Sequence, residues 1–151
     1  MTRSDPFLSA KDAEALGVEL LSFDELLAQA DFISLHTPLI EQTRNLISTT
    51  EFAKMKPGAF LVNAARGGIV DEDACLAALE AGTLAGAAFD VYVEEPATEN
   101  HALVMHERVV CTPHLGASTA EAQIKVAVEV AEQMVLYAQK GEIRNAVNLK
   151  K

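Results

Sequence analysis

Three side chains in this sequence could do chemistry together: Arg66, Glu95 and His114. Each stands just beyond an apolar run that reads as a strand. Arg66 follows residues 58–62, Glu95 follows residues 85–91, and His114 follows residues 109–112. If the strands are parallel, all three side chains reach the carboxyl edge of one sheet, the usual ligand crevice of open α/β folds. A planar guanidinium grips a carboxylate through two hydrogen bonds. A histidine titrating near neutrality gives or takes a proton, and a neighbouring carboxylate orients the ring and favours its charged form. The set suits oxidation of a 2-hydroxy acid. Arginine holds the carboxylate and the developing carbonyl, histidine takes the hydroxyl proton, and hydride leaves to a nicotinamide. Taken singly, each residue has an ordinary alternative: a solvated arginine, a loop histidine, a surface glutamate. His36 reads as structural, and His101 and His106 as solvated loop residues. No His/Cys spacing suggests zinc.

The elements that must position these residues alternate between strand and helix. After a loop over residues 2–7, a helix is predicted from Ala10 to Leu16, capped by Ser9 and ended by Gly17. A brief strand covers residues 18–21. Ser22 and Glu25 have the spacing of a capping box opening a helix to Ala30. Residues 32–36 form a strand halted at Thr37-Pro38, a helical turn follows near residues 43–46, and Ser48 starts a short helix. A helix from Glu72 to Ala81, capped by Asp71, follows the Arg66 turn. The strand at residues 85–91 is built of small residues, which suit close packing of a helix. Ser118 and Glu121 read as a capping box opening a long helix to Lys140, ended by Gly141. No Asn-Gly hairpin signal occurs, so the pattern implies βαβ units and a parallel sheet. The long helix carries two apolar faces, one with Ile124, Val128 and Val135, the other with Val126, Val130, Met134 and Tyr137. A surface helix needs one such face, so the second is expected to meet another domain or subunit.

Composition narrows the choices. Half of the 151 residues are apolar, enough for one domain with a real core. A net charge of −10 with no basic cluster beyond Lys150-Lys151 argues against nucleic acid and anionic membranes as partners. Cys75 and Cys111 sit among apolar neighbours and read as buried thiols. With no membrane-length apolar run and no signal peptide, the expectation is a cytoplasmic protein.

Three segments carry a resemblance: Asn63 to Glu72 (NAARGGIVDE), Phe89 to Pro96 (FDVYVEEP) and Thr112 to Gln123 (TPHLGASTAEAQ). In this order they resemble the D-isomer-specific 2-hydroxyacid dehydrogenases, and the third is most similar to the branch that oxidises 3-phosphoglycerate in serine biosynthesis. The resemblance implies NAD as cofactor, a small 2-hydroxy acid as substrate, and a homodimer. It implies that Arg66, Glu95 and His114 are catalytic. Asp5 matches the acidic residue on the adenosine ribose. Thr37, Pro38, Ala64 and Ala65, together with Arg66 and His114, match the cofactor lining. Asp90 matches the carboxamide partner, and Gly116 and Ala117 the loop beside the nicotinamide. Hydroxypyruvate or glyoxylate reduction, or a non-catalytic interaction module, are the alternatives within the family.

The fold implied is a partial Rossmann-like, doubly wound parallel sheet lacking the first βαβ unit, with a long C-terminal helix. Residues 1–117 form a partial NAD-binding domain and residues 118–151 the helix and tail. None of the eight glycines has the Gly-x-Gly-x-x-Gly spacing that cradles a pyrophosphate. The family's strand order, 3-2-1-4-5-6-7, then leaves the strand at residues 18–21 without its neighbour and bares the edge of residues 32–36. Two repairs are expected: the first strand slides beside the second, or two chains pair through these edges or the long helix. Without the phosphate turn, the chain alone is expected to show no dehydrogenase turnover.

Overall fold

A computed structural model describes residues 1–116 and 118–146. Its centre is a four-stranded parallel sheet in sequential order: β3 (Phe32–Leu35), β4 (Ala59–Asn63), β5 (Leu84–Phe89) and β6 (Val109–Cys111). Leu35 pairs with Asn63, Asn63 with Phe89, and Phe89 with Cys111. One level line therefore runs across the carboxyl ends of all four strands, and everything just beyond it shares one rim. Two shorter strands, β1 (Thr2–Arg3) and β2 (Glu19–Leu20), form a separate parallel pair, connected by helix α1 (Ala10–Ala15).

That pair corrects two expectations. Residues 2–7 are not loop throughout, because Thr2 and Arg3 are strand, and they supply the neighbour the strand at Glu19–Leu20 was expected to lack. Nor does β2 slide beside β3. It pairs with β1, and β3 pairs only with β4 among the described strands.

Helices α2 (Phe23–Gln29), α3 (Thr49–Lys54) and α4 (Glu72–Glu80) cover one face of the larger sheet. Leu27, Phe52, Cys75 and Leu79 from these helices join Ile33, Leu35, Leu61 and Phe89 from the strands in one buried cluster. The capping box of α2 forms as the spacing predicts: Glu25 N–H donates to Ser22 Oγ, and Ser22 N–H to Glu25 Oε2. The opposite face carries Phe32, Phe60 and Val110, all exposed, with the two phenyl rings stacked 5.1 Å apart. The small residues of β5 serve both faces: Ala87 packs in the buried cluster with α4, and Gly86 faces the Phe60 ring. A side chain at Gly86 would meet the Phe60 ring at 3.1 Å.

A second compact unit begins at Leu115 and contains α6 (Ala120–Lys140). Thr119, not Ser118, is its N-cap, accepting from Ala122 N–H. Gly141 ends it at φ 65°. None of the residues of α6 is buried, and residues of both apolar faces, among them Ile124, Val126, Val135 and Tyr137, are exposed. A short helix, α5 (Ala102–Met105), forms where a loop was expected. No described helix is long and apolar enough to cross a membrane.

Candidate active site

The Arg66 turn is organised by Asn63, the last residue of β4, whose polar side chain is buried. Its amide donates to the Arg66 carbonyl at 3.0 Å, and its Oδ1 accepts from Ala65 N–H at 3.2 Å. Both ends of the amide are used, so the residues between are held as a tight turn. Gly67 and Gly68 finish it. Gly68 takes φ 79°, where a side chain is strained. Gly67 is constrained by contact: a Cβ there would lie 1.8 Å from the Tyr92 carbonyl oxygen and 2.9 Å from Val93 N. The turn carrying Arg66 therefore rests directly on the Tyr92–Val93 peptide, which follows β5.

That peptide is in turn held by carboxylates. Tyr92 N–H donates to Glu95 Oε1 at 3.1 Å, and Val93 N–H to Glu72 Oε1 at 2.8 Å. Tyr92 is buried, and its hydroxyl shares its proton between the carbonyls of Phe89 and Thr112, at 3.0 and 3.2 Å. Burial pushes this phenol well above its ordinary range. The segment leading into Glu95 is thus pinned from three directions before its contact with His114 is considered.

His114 Nδ1 lies 2.7 Å from Glu95 Oε2. An ionised carboxylate only accepts, so Nδ1–H donates, and the ring is fixed with Nε2 as the basic nitrogen in its neutral form. Hydrogen bonds from His114, then from Tyr92 N–H, hold the Glu95 carboxyl below its usual range. His114 has φ 56°, a left-handed conformation uncommon for a side chain-bearing residue and found at functional sites. Both side chains of the pair remain open to solvent, with His114 48% and Glu95 35% exposed. They line a cleft of about 240 Å³ with Tyr92, Pro96, Ala97 and Pro113. That is room for a small reacting group, not for a dinucleotide.

Arg66 lies in the turn three residues past Asn63, the end of the strand next to β5, so it shares the rim with the pair. Its guanidinium is exposed and donates through Nη1 to the Ala65 carbonyl at 2.6 Å. The fold brings His114 and Glu95 into contact and brings the Arg66 backbone to the same loop cluster through Gly67.

The other sequence-identified residues fall as follows. Thr37 and Pro38 follow β3 at the same rim, and Thr37 Oγ1 is buried with no hydrogen-bond partner among the described residues. Ala64 is exposed and Ala65 half-buried in the Arg66 turn. Asp90 accepts from the Thr112 hydroxyl, and its N–H donates to the Asn63 carbonyl, which ties the ends of three adjacent strands. Asp5 follows β1 in the smaller sheet. Phe7 N–H and the Arg3 guanidinium hold its carboxyl below the ordinary range. Gly116 lies in the second unit, and Ala117 lies outside the described residues.

Sequence reasoning missed Glu72, His101 and the role of Asn63. His101 is not a solvated loop residue. Its Nδ1 accepts from Leu103 N–H as the N-cap of α5, its Nε2 lies 3.2 Å from Glu72 Oε2, and its ring meets Tyr92 edge-on at 5.5 Å. Twenty-nine residues separate it from Glu72, so no local pattern announces the pair. Asn63 did leave a signal: a polar residue closing an apolar run.

A parallel α/β sheet with an arginine and a carboxylate-held histidine at its carboxyl rim defines a ligand-binding domain of the doubly wound class. The sequence profile of the D-isomer specific 2-hydroxyacid dehydrogenase NAD binding domain matches residues 1–116, and the chain belongs to that family. NAD is the cofactor of the family. Over 145 residues the chain is 52% identical to D-3-phosphoglycerate dehydrogenase 2, chloroplastic, of Arabidopsis thaliana, covering 95% of this chain and 23% of that protein. It is 50% identical over 145 residues to D-3-phosphoglycerate dehydrogenase of Archaeoglobus fulgidus, covering 96% and 28%. The chain thus spans about a quarter of the length of these relatives. Among solved structures, a glyoxylate reductase from Paecilomyes thermophila superposes with TM-score 0.85 at 37% identity, covering 97% of this chain and 44% of that one. The NAD-complexed D-isomer specific 2-hydroxyacid dehydrogenase of Lactobacillus delbrueckii ssp. bulgaricus gives 0.87 at 29%, covering 97% and 48%.

Proposed function

We propose that this chain is the catalytic-rim portion of an NAD-dependent dehydrogenase that oxidises a D-2-hydroxy acid, with 3-phosphoglycerate as the substrate. The observation that carries the chemistry is the 2.7 Å contact between His114 Nδ1 and Glu95 Oε2 at the carboxyl edge of the sheet. The substrate rests on the roughly half-identical relatives named for phosphoglycerate.

His114 Nε2 takes the proton of the substrate hydroxyl. Glu95 keeps the ring in the required tautomer and stabilises the imidazolium that results. Arg66 leaves the Ala65 carbonyl and turns to the substrate, donating to its carboxylate and to the oxygen becoming a carbonyl. When bound, the nicotinamide supplies the hydride acceptor. The buried, unpartnered Thr37 hydroxyl is a donor awaiting a polar ligand at that rim, which fits a cofactor there. Thr37, Pro38, Ala64, Ala65 and Asp90 would hold the nicotinamide end, and Asp5 the adenosine ribose. The exposed apolar faces of α6 favour a homodimer, and the two free thiols, Cys75 and Cys111, favour the reducing cytoplasm.

The test replaces the matching region of the Bacillus subtilis D-3-phosphoglycerate dehydrogenase, 48% identical over 145 residues, with this chain. The chimera is expected to form NADH from 3-phosphoglycerate, and His114→Asn to remove that activity. A chimera equally active with His114→Asn refutes the assignment.

A further inference from the structure

One peptide unit receives contacts from every part of the site. The Tyr92–Val93 peptide carries the Gly67 backbone against its carbonyl, and its N–H, that of Val93, donates to Glu72 Oε1 at 2.8 Å. The preceding N–H, that of Tyr92, donates to Glu95 Oε1. The other oxygen of Glu72 is held by His101 Nε2 at 3.2 Å, and the His101 ring abuts Tyr92. Glu72 and His101 are 16% and 21% exposed, well below Glu95 and His114. Glu72 is the first residue of α4, where the helix dipole favours a carboxylate, so its placement is inexpensive. Glu72 grips the peptide on which Gly67 of the Arg66 turn rests, one peptide on from the Tyr92 N–H that Glu95 accepts.

We infer that Glu72, steadied by His101, is a positioning residue that sets Glu95 against His114 through the Tyr92–Val93 peptide. It acts through reach, not charge: a carboxylate or amide of this length meets the Val93 N–H, and a shorter side chain falls short. His101 serves by using both ring nitrogens, one on the Leu103 N–H and one on Glu72, which keeps the Glu72 carboxylate turned toward Val93. The inference rests on the proposed roles of Glu95 and His114 for its functional meaning, and on geometry alone for its physical content.

The experiment is NMR on the full 151-residue chain. Hydrogen exchange is followed at the Tyr92, Val93 and Cys75 amides, and the His114 ring by long-range proton–nitrogen correlation. Glu72→Asp keeps the helix-terminal charge and shortens the arm. It is expected to speed exchange at Val93 and Tyr92 by about tenfold and to shift the His114 Nδ1 resonance, with Cys75, inside α4, unchanged. Glu72→Gln keeps the length, so its amide oxygen still accepts from Val93 N–H while its NH2 meets the His101 Nε2–H donor, and smaller changes at Tyr92 and His114 than in Glu72→Asp are expected. Wild-type signals at Tyr92 and His114 in Glu72→Asp overturn the inference. So do equal changes in the Asp and Gln variants, which would make charge the cause. An inactive chimera with these couplings intact counts against the proposed function and leaves the positioning role standing.

Discussion

The molecule contains two histidine–glutamate pairs, and they are put to opposite uses. In His114–Glu95 the carboxylate takes Nδ1 and leaves Nε2 as the basic nitrogen, at the end of the last strand and in reach of solvent. In His101–Glu72 the tautomer is reversed: Nδ1 caps α5 and Nε2 meets the carboxylate, in a part-buried setting. A part-buried ring held between a helix cap and a carboxylate keeps its neighbours still, and a ring open to solvent can exchange a proton. Chemical identity is the same in the two pairs. What separates them is which ring nitrogen meets the carboxylate and how far the pair is exposed.

The hardest blow to both pairs is Gly67→Ala, since its methyl would overlap the Tyr92 carbonyl on which both depend. A loss of about 4 kcal/mol or more is expected in urea unfolding; a loss below about 1 kcal/mol would mean the turn does not rest on that peptide. Next comes the contrast itself, measured in the chimera. His114→Ala is expected to lower turnover by about 10²–10⁴-fold with the melting temperature kept. Comparable losses from His101→Ala with unchanged stability would erase the distinction drawn between the pairs. Asn63→Leu strands the Arg66 carbonyl and Ala65 N–H and is expected to cost about 1–3 kcal/mol in the same unfolding assay. His101→Ala removes a helix cap and is expected to cost about 1 kcal/mol.

The smallest effect is a dependence on pH. The Glu95 carboxyl is held below its ordinary value, first by His114 and then by the Tyr92 N–H. A depressed folded-state value stabilises the fold above the unfolded carboxylate's titration, and the contribution is lost as pH falls through the lowered value. Unfolding of wild type and Glu95→Gln should therefore differ at pH 7 and converge in acid. A gap that widens in acid would reverse the sign of the coupling.

Much of this was legible in the residues. The apolar runs before Arg66, Glu95 and His114 marked strands, the capping residues marked helix starts, and alternation marked a parallel sheet, because each signal is local. β1 was not legible: two residues, Thr2 and Arg3, carry no periodicity, and only their pairing with Glu19 and Leu20 makes them strand. The N-cap of α6 moved by one residue because Ser118 and Thr119 are equivalent in type, and only backbone geometry selects between them.

The sequence by itself determined which residue types stand at the strand ends, and with them the family. Only the tertiary structure decided which carboxylate each histidine meets. Glu95 and His114 lie 19 residues apart and Glu72 and His101 lie 29 apart. A pairing across such separations is set by strand register and backbone contact, such as Gly67 on the Tyr92–Val93 peptide, and not by any preference the residues carry alone.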